Sequence, residues 1–193
     1  MALPTIFGIE LNNHENGILE ATFNRPNELN SFNRELYESL LTVLSLAKEL
    51  STVKVLVLTG NDAVGLTLDK LQDDGEITKN CIDAFIDFPK VLIVGWNGPA
   101  IGVSVTISLL NSAELKELKI VSHVYKKDEF RMKLLKFSEG YAKVPPVAFE
   151  TSKKLLRDTI REDLHKANKL EMRLLIERMN SFESKLLIMN FCN

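Results

Sequence analysis

"GEITKNCIDAFIDFPKVLIVGWNGPAIGVSVT", residues 75–106, reads as an amphipathic helix, a stop, a strand and a bare turn in one pass. Ile77, Cys81, Ile82, Phe85 and Ile86 recur at the spacing of one helix face, and Pro89 ends the run. "VLIVGW" is then continuously apolar, as a strand covered on both faces must be. The same order stands upstream. "FNRELYESLLTVLSLAKEL", residues 32–50, places Leu36, Leu40, Leu44 and Ala47 on one face, with Ser31 or Asn33 as N-cap. "VKVLVLTG", residues 53–60, follows as a buried strand ending at glycine. Helix then buried strand, twice over, is an α/β pattern.

Towards the N-terminus, "IFGIELNN" and "GILEATF" are short strand-like runs joined through "HENG", where Asn16-Gly17 supplies the positive-φ residues of a tight hairpin. Towards the C-terminus the periodicity becomes purely helical. "DEFRMKLLKFSEGYAKV", "PPVAFETSKKLLRDTI" and "REDLHKANKLEMRLLIERM", residues 128–179, predict helices broken at Pro145-Pro146, preceded by a strand-like "KIVSHVY" at 119–125. The expected architecture is an α/β core over 1–127 and a helical C-terminal region over 128–193 of the same domain.

A chain of 193 residues with 45% hydrophobic content can bury one core. Its net charge of −2 argues against bulk nucleic-acid binding, which needs a basic face. The charge is uneven: residues 1–111 hold 7 Lys/Arg against 14 Asp/Glu, and residues 112–193 hold 17 against 12. That asymmetry is read as solvated helix faces, with an anionic ligand as the alternative. Cys81 and Cys192 lack metal or CxxC spacing and fit reduced, small-hydrophobe roles. No stretch approaches eighteen apolar residues, so no membrane span is expected. His14, His123 and His165 stand without a Ser or Cys at informative spacing, and no P-loop or dinucleotide-type glycine run occurs.

The turn after "VLIVGW" carries the chemistry. Asn97-Gly98-Pro99 leads into "AIGVSVTISLL", bringing peptide N–H groups to a helix start, where no intrahelical acceptor claims them. Gly102 lets the backbone approach a ligand, and the N–H of Val103 falls in the first turn. Two such donors make an oxyanion hole, each worth on the order of 3–4 kcal/mol in acyl chemistry.

Residues 22–61, "TFNRPNELNSFNRELYESLLTVLSLAKELSTVKVLVLTGN", and residues 81–106, "CIDAFIDFPKVLIVGWNGPAIGVSVT", together resemble the crotonase (enoyl-CoA hydratase/isomerase) superfamily. The likeness extends to the C-terminal helices and is greatest to the Δ3,Δ2-enoyl-CoA isomerase branch. It implies a β-β-α spiral fold and a fatty enoyl-CoA substrate, the coenzyme A thioester being substrate and no metal or redox cofactor being used. It further implies that Val103, with Gly102, donates one oxyanion N–H. The backbone at Glu28, Leu29 and Asn30 would line coenzyme A, and Lys153 or Lys154 would reach its phosphate. It also implies a homotrimer or hexamer formed through the C-terminal helices, in peroxisomes or, alternatively, mitochondria.

Two departures from the family pattern stand out. The glycine-rich run that supplies the second oxyanion N–H is too short in "LTGNDAVGLTLDKLQDD", leaving Asn61-Asp62 or Gly65-Leu66 as its remnant, with Asn61 favoured. After Leu110 the family's stretch with the catalytic glutamate is absent, and Glu114 and Glu117 read as helix-surface residues rather than substitutes. Cutting strands and a helix from a packed body exposes apolar faces and strand edges, so a longer natural polypeptide is the expectation. The implied activity is Δ3,Δ2-isomerisation in β-oxidation. The alternatives are a hydratase, which needs two glutamates, or a catalytically inactive acyl-CoA-binding homologue.

Overall fold

The computed structural model describes residues 3–28, 30–61, 75–97 and 112–182. Strands β1 (Ile9–His14), β2 (Ile18–Phe23), β3 (Val55–Gly60) and β4 (Val91–Gly95) form one sheet in the order β1-β2-β3-β4. The β1–β2 pair is antiparallel, and the two later pairs are parallel. Helix α1 (Arg34–Glu49) links β2 to β3, and α2 (Gly75–Asp87) precedes β4. Beyond the sheet come α3 (Ser112–Glu117), α4 (Phe130–Ala142), α5 (Pro146–Asp158) and α6 (Arg161–Met179). The helix-strand repetition legible in the sequence is therefore present.

Local chemistry explains each boundary. The Asn33 carboxamide oxygen accepts the Leu36 N–H at 3.0 Å, so Asn33, not Ser31, caps α1. The hairpin turns through three residues, 15–17, rather than two. Gly17 alone is left-handed (φ 85°), and its N–H donates to the His14 carbonyl at 3.1 Å. Asn16 therefore does not share the positive φ expected of it; a type I turn closed by a left-handed glycine suffices.

Alternation across the pleat creates two cores. Leu19 and Ala21 of β2 and Leu56 and Leu58 of β3 pack with Leu36, Leu40, Val43, Leu44 and Ala47 of α1, and with Cys81 and Phe88. Ile18, Val55, Val57 and Val91 point the other way, against Leu134 and Ala142 of α4, with Phe149 of α5 at the margin. Because helices cover both faces, the β3 run is apolar throughout. Burial pushes the Cys81 thiol up to about 12, consistent with a packing role.

Two expectations fail. On the face away from α4 the end of β4 is not covered: Val94 is 61% and Trp96 39% exposed, so the reading of the VLIVGW run as covered on both faces fails at its end. Among the described residues β4 pairs with β3 alone. Residues 119–125 form no strand. Lys119 is left-handed (φ 58°), and the N–H groups of Ile120 and Val121 return to the Leu115 carbonyl of α3. Donors that a ladder would use are thus spent on a helix terminus.

At the edge of the sheet where the parallel strands begin, helix C-termini meet cations. The Lys90 ammonium is buried and donates to the Ala47 and Leu50 carbonyls at the end of α1, both at 2.8 Å. Lys54 donates to Ala142 at the end of α4 (3.2 Å), and Arg157 to Ile86 at the end of α2 (3.1 Å). Carbonyls left over at a helix C-terminus, and the negative end of its dipole, favour such caps. Of these three cations only Arg157 belongs to the basic segment 112–193.

Candidate functional site

In open α/β sheets ligands gather outside the carboxyl ends of the strands. Here that end is formed by Thr59 and Gly60 at the end of β3 with Asn61 beyond it, and by Gly95 at the end of β4 with Trp96 and Asn97 beyond it, facing the 24–31 loop. Thr59 is buried and its hydroxyl donates to the Gly95 carbonyl at 3.1 Å, clamping the two strand ends together. Asn97 donates through Nδ2 to the Gly60 carbonyl at 3.3 Å. Gly95 matters because a Cβ there would press into Leu134 and stand 3.0 Å from Phe130 Cζ, so only glycine lets α4 approach this end of β4.

The 24–31 loop is built around Asn30. It is fully buried and left-handed (φ 54°), a conformation asparagine tolerates better than most residues. Its Oδ1 accepts the Arg25 N–H at 2.6 Å, and its Nδ2 donates to the Asn61 carbonyl at 3.0 Å. Glu28 closes a short 3-10 turn (Pro26–Glu28), is ion-paired with Arg25, and offers its carbonyl to the Ser31 hydroxyl. The structure thus joins Glu28, Asn30 and Asn61 in one corner, and Asn97, which the sequence marked only as part of a turn, joins them. Gly102, Val103 and Leu29 lie outside the described residues, as does the alternative Gly65-Leu66.

Asn61 requires a correction. Its N–H is not presented to a ligand but donates to the Phe23 carbonyl at 2.9 Å, extending the β2–β3 ladder by one bond. An amide spent on the sheet cannot also stabilise an oxyanion, so Asn61 serves as an anchor of the corner and not as its second donor.

Lys153 also turns elsewhere. Its ammonium donates to the Lys90 carbonyl at 2.6 Å and sits 5.4 Å from the Phe88 ring centroid. Lys90 immediately precedes β4, so Lys153 stands at the opposite end of that strand from the corner. Burial first, and then the charges of Arg157 and Arg161, lower its pKa to about 8. The side chain sits on the same cation-rich edge as Lys90 and Arg157, and the described contacts do not bring it to the ligand end. Lys154 is exposed on α5.

The histidines serve packing and charge. His14 Nε2 lies 3.1 Å from Glu20 Oε2, His165 lies between Asp83 and Asp87, and the His123 ring packs on Phe137 and Tyr125. Among the described residues no group of His, Cys, Asp and Glu is arranged to hold a metal ion, and no helix is long and apolar enough to cross a membrane.

Three comparisons bear on this corner. The sequence profile of the enoyl-CoA hydratase/isomerase family matches residues 13–109, a span that contains both the 24–31 loop and the 97–103 segment. Human enoyl-CoA delta isomerase 2 is 27% identical over 241 aligned positions, covering 92% of this chain and 61% of the relative. Those 241 positions exceed the 193 residues of the chain by 48, so at least that many positions of the relative have no counterpart here. Mouse peroxisomal enoyl-CoA delta isomerase 3 is 36% identical over 112 residues, which cover 51% of this chain and 35% of the relative. Among solved structures, an enoyl-CoA hydratase/isomerase from Pseudoalteromonas atlantica superposes with a TM-score of 0.85 at 23% identity, over 95% of this chain and 96% of that one.

Proposed function

The chain belongs to the enoyl-CoA hydratase/isomerase family and has the crotonase fold, and from that premise we propose that it shifts the double bond of a fatty 3-enoyl-CoA to position 2. The observation that carries the reading is that the family match spans the two segments whose ends meet at the corner, and that curated relatives over this span are named enoyl-CoA delta isomerases. The thioester oxygen enters between peptide N–H groups, one of them Val103 with Gly102 allowing the approach. The backbone at Glu28, Leu29 and Asn30 lies along coenzyme A. Electrostatic stabilisation of the dienolate lets a carboxylate take a proton from C2 and return one to C4; no metal or redox group enters.

The carboxylate is the open element. The chain spans about 61% of the length of its human relative, and none of its glutamates occupies the position that the family pattern gives the base. This favours a second reading, in which the corner binds acyl-CoA without turning it over. Exposed Val147, Leu155 and Leu156 on α5 and Leu170 and Leu174 on α6 support assembly through these helices, as a homotrimer or a pair of them. A peroxisomal location is proposed on the name of the mouse relative.

Incubation of the purified chain with trans-3-hexenoyl-CoA, following the conjugated 2-enoyl thioester by its absorbance, tests the reading. Product formation supports isomerisation. Saturable binding without product supports the second reading, and absence of both removes the two together. An intact mass above 21.8 kDa for the natural polypeptide would show that it carries segments beyond this chain.

A further inference from the structure

We propose that Asn30 is a positioning residue: its side-chain amide couples the 24–31 loop to the end of β3, and so sets the geometry of the acyl-CoA corner without touching the ligand. The proposal rests on the acyl-CoA reading above and goes beyond it in assigning the side chain. A residue lining coenzyme A through its backbone needs no particular side chain, yet Asn30 is fully buried with both ends of its amide used. Oδ1 holds Arg25 at the start of the loop, and Nδ2 holds the carbonyl of Asn61 on the other segment. Its own N–H donates to the Arg25 carbonyl at 3.0 Å, completing a ring of bonds across the loop.

Asn61 is thereby fixed from two sides, its N–H by Phe23 of β2 and its carbonyl by Asn30. The preceding carbonyl, of Gly60, is held by Asn97 from the β4 side. Two successive carbonyls at the end of β3 are thus each claimed by an amide from a different loop. Bonds to buried acceptors whose loss leaves them unsatisfied resist rearrangement, which is what a preorganised corner requires. The left-handed backbone at residue 30 narrows the choice further. Glycine fits the conformation but has no amide, alanine fits it poorly, and aspartate keeps the acceptor for Arg25 while losing the donor to Asn61.

The test uses butanoyl-CoA, which lacks a double bond and cannot turn over, titrated calorimetrically into the wild-type chain, Asn30→Gly and Asn30→Asp well below their melting temperatures. The expected result is that Asn30→Asp, folded by circular dichroism, binds about tenfold more weakly, as loss of one buried hydrogen bond implies, and that folded Asn30→Gly, which loses both bonds, binds at least as weakly. Hydrogen exchange in Asn30→Asp should accelerate at Asn61. Folded variants that bind as tightly as the wild type overturn the proposal, because a purely structural amide would lower melting temperature alone. Failure of the wild type to bind butanoyl-CoA overturns the acyl-CoA reading and this proposal with it. If neither variant folds, the wild-type protein decides: the Asn30 side-chain amide protons must exchange slowly, as a buried bond to the Asn61 carbonyl requires, and solvent-like exchange refutes the coupling.

Discussion

Replacing Arg131 by methionine should cost the fold about 3 kcal/mol, because it strands a carboxylate in the interior. Glu20, in the middle of β2, is fully buried beneath α4. Arg131 grips it with two parallel bonds, Nε to Oε1 at 2.9 Å and Nη2 to Oε2 at 3.0 Å, and His14 approaches Oε2 at 3.1 Å. Burial pushes the Glu20 carboxyl up, but the hydrogen bonds and charges of Arg131 and His14 more than reverse this and hold it below its ordinary value. Breaking a buried pair costs roughly 3–5 kcal/mol. The lower figure applies here, since Arg131 is 61% exposed and water can enter where it leaves. For a chain of this size about 3 kcal/mol corresponds to a melting temperature roughly 6–12 °C lower. The double variant Glu20→Met with Arg131→Met removes both charges and should return to within about 1–2 kcal/mol of the wild type. Thermal melts of the wild type, both single variants and the double variant at pH 7 measure the coupling. The acid limb supplies a sign: with its folded pKa below the unfolded value of 4.5, Glu20 stabilises the fold above that pH and loses the contribution as pH falls through the folded pKa. An Arg131→Met protein melting with the wild type, or a double variant no better than that single one, refutes the reasoning.

His165 should make the docking of α6 on α2 depend on pH. Its Nδ1 lies 2.6 Å from Asp83 and its Nε2 3.2 Å from Asp87, so the protonated ring can donate to both carboxylates at once, whereas the neutral ring can serve only one. Lys79 and Asn168 also meet Asp83, and Arg161 meets Asp87 and Asp158. The hydrogen bond to Asp83 leads in raising the pKa, so the stabilisation is complete below 6.5 and lost as pH rises through the folded value. With the ring one-third exposed the effect stays below about 1 kcal/mol, seen as a fall in melting temperature on alkalinisation that His165→Gln should lack. Gly95→Ala should destabilise by about 1–3 kcal/mol in denaturant titrations, since the added methyl meets Leu134 and Phe130. Unchanged stability would show that α4 can retreat from β4.

The hairpin, α1 with its cap narrowed to Ser31 or Asn33, the strand-helix order and the inward faces follow from the sequence by itself. Their causes are local: a glycine able to turn left-handed, a cap three residues before its donor, and apolar residues at periods of two or 3.6. The family was equally legible, since its signature is carried by contiguous runs around Asn30 and Asn97. What the sequence did not contain was the allocation of partners. Glu20 and Arg131 are 111 residues apart, and nothing near either announces the other. Lys153 looked free to meet a phosphate until α5 laid it on the Lys90 carbonyl, and Asn61 looked free to donate until the sheet placed Phe23 opposite it. The apolar run of β4 could not reveal that Val94 stays uncovered. Periodicity states which groups must be satisfied, whereas only packing across distant segments decides which neighbour satisfies them.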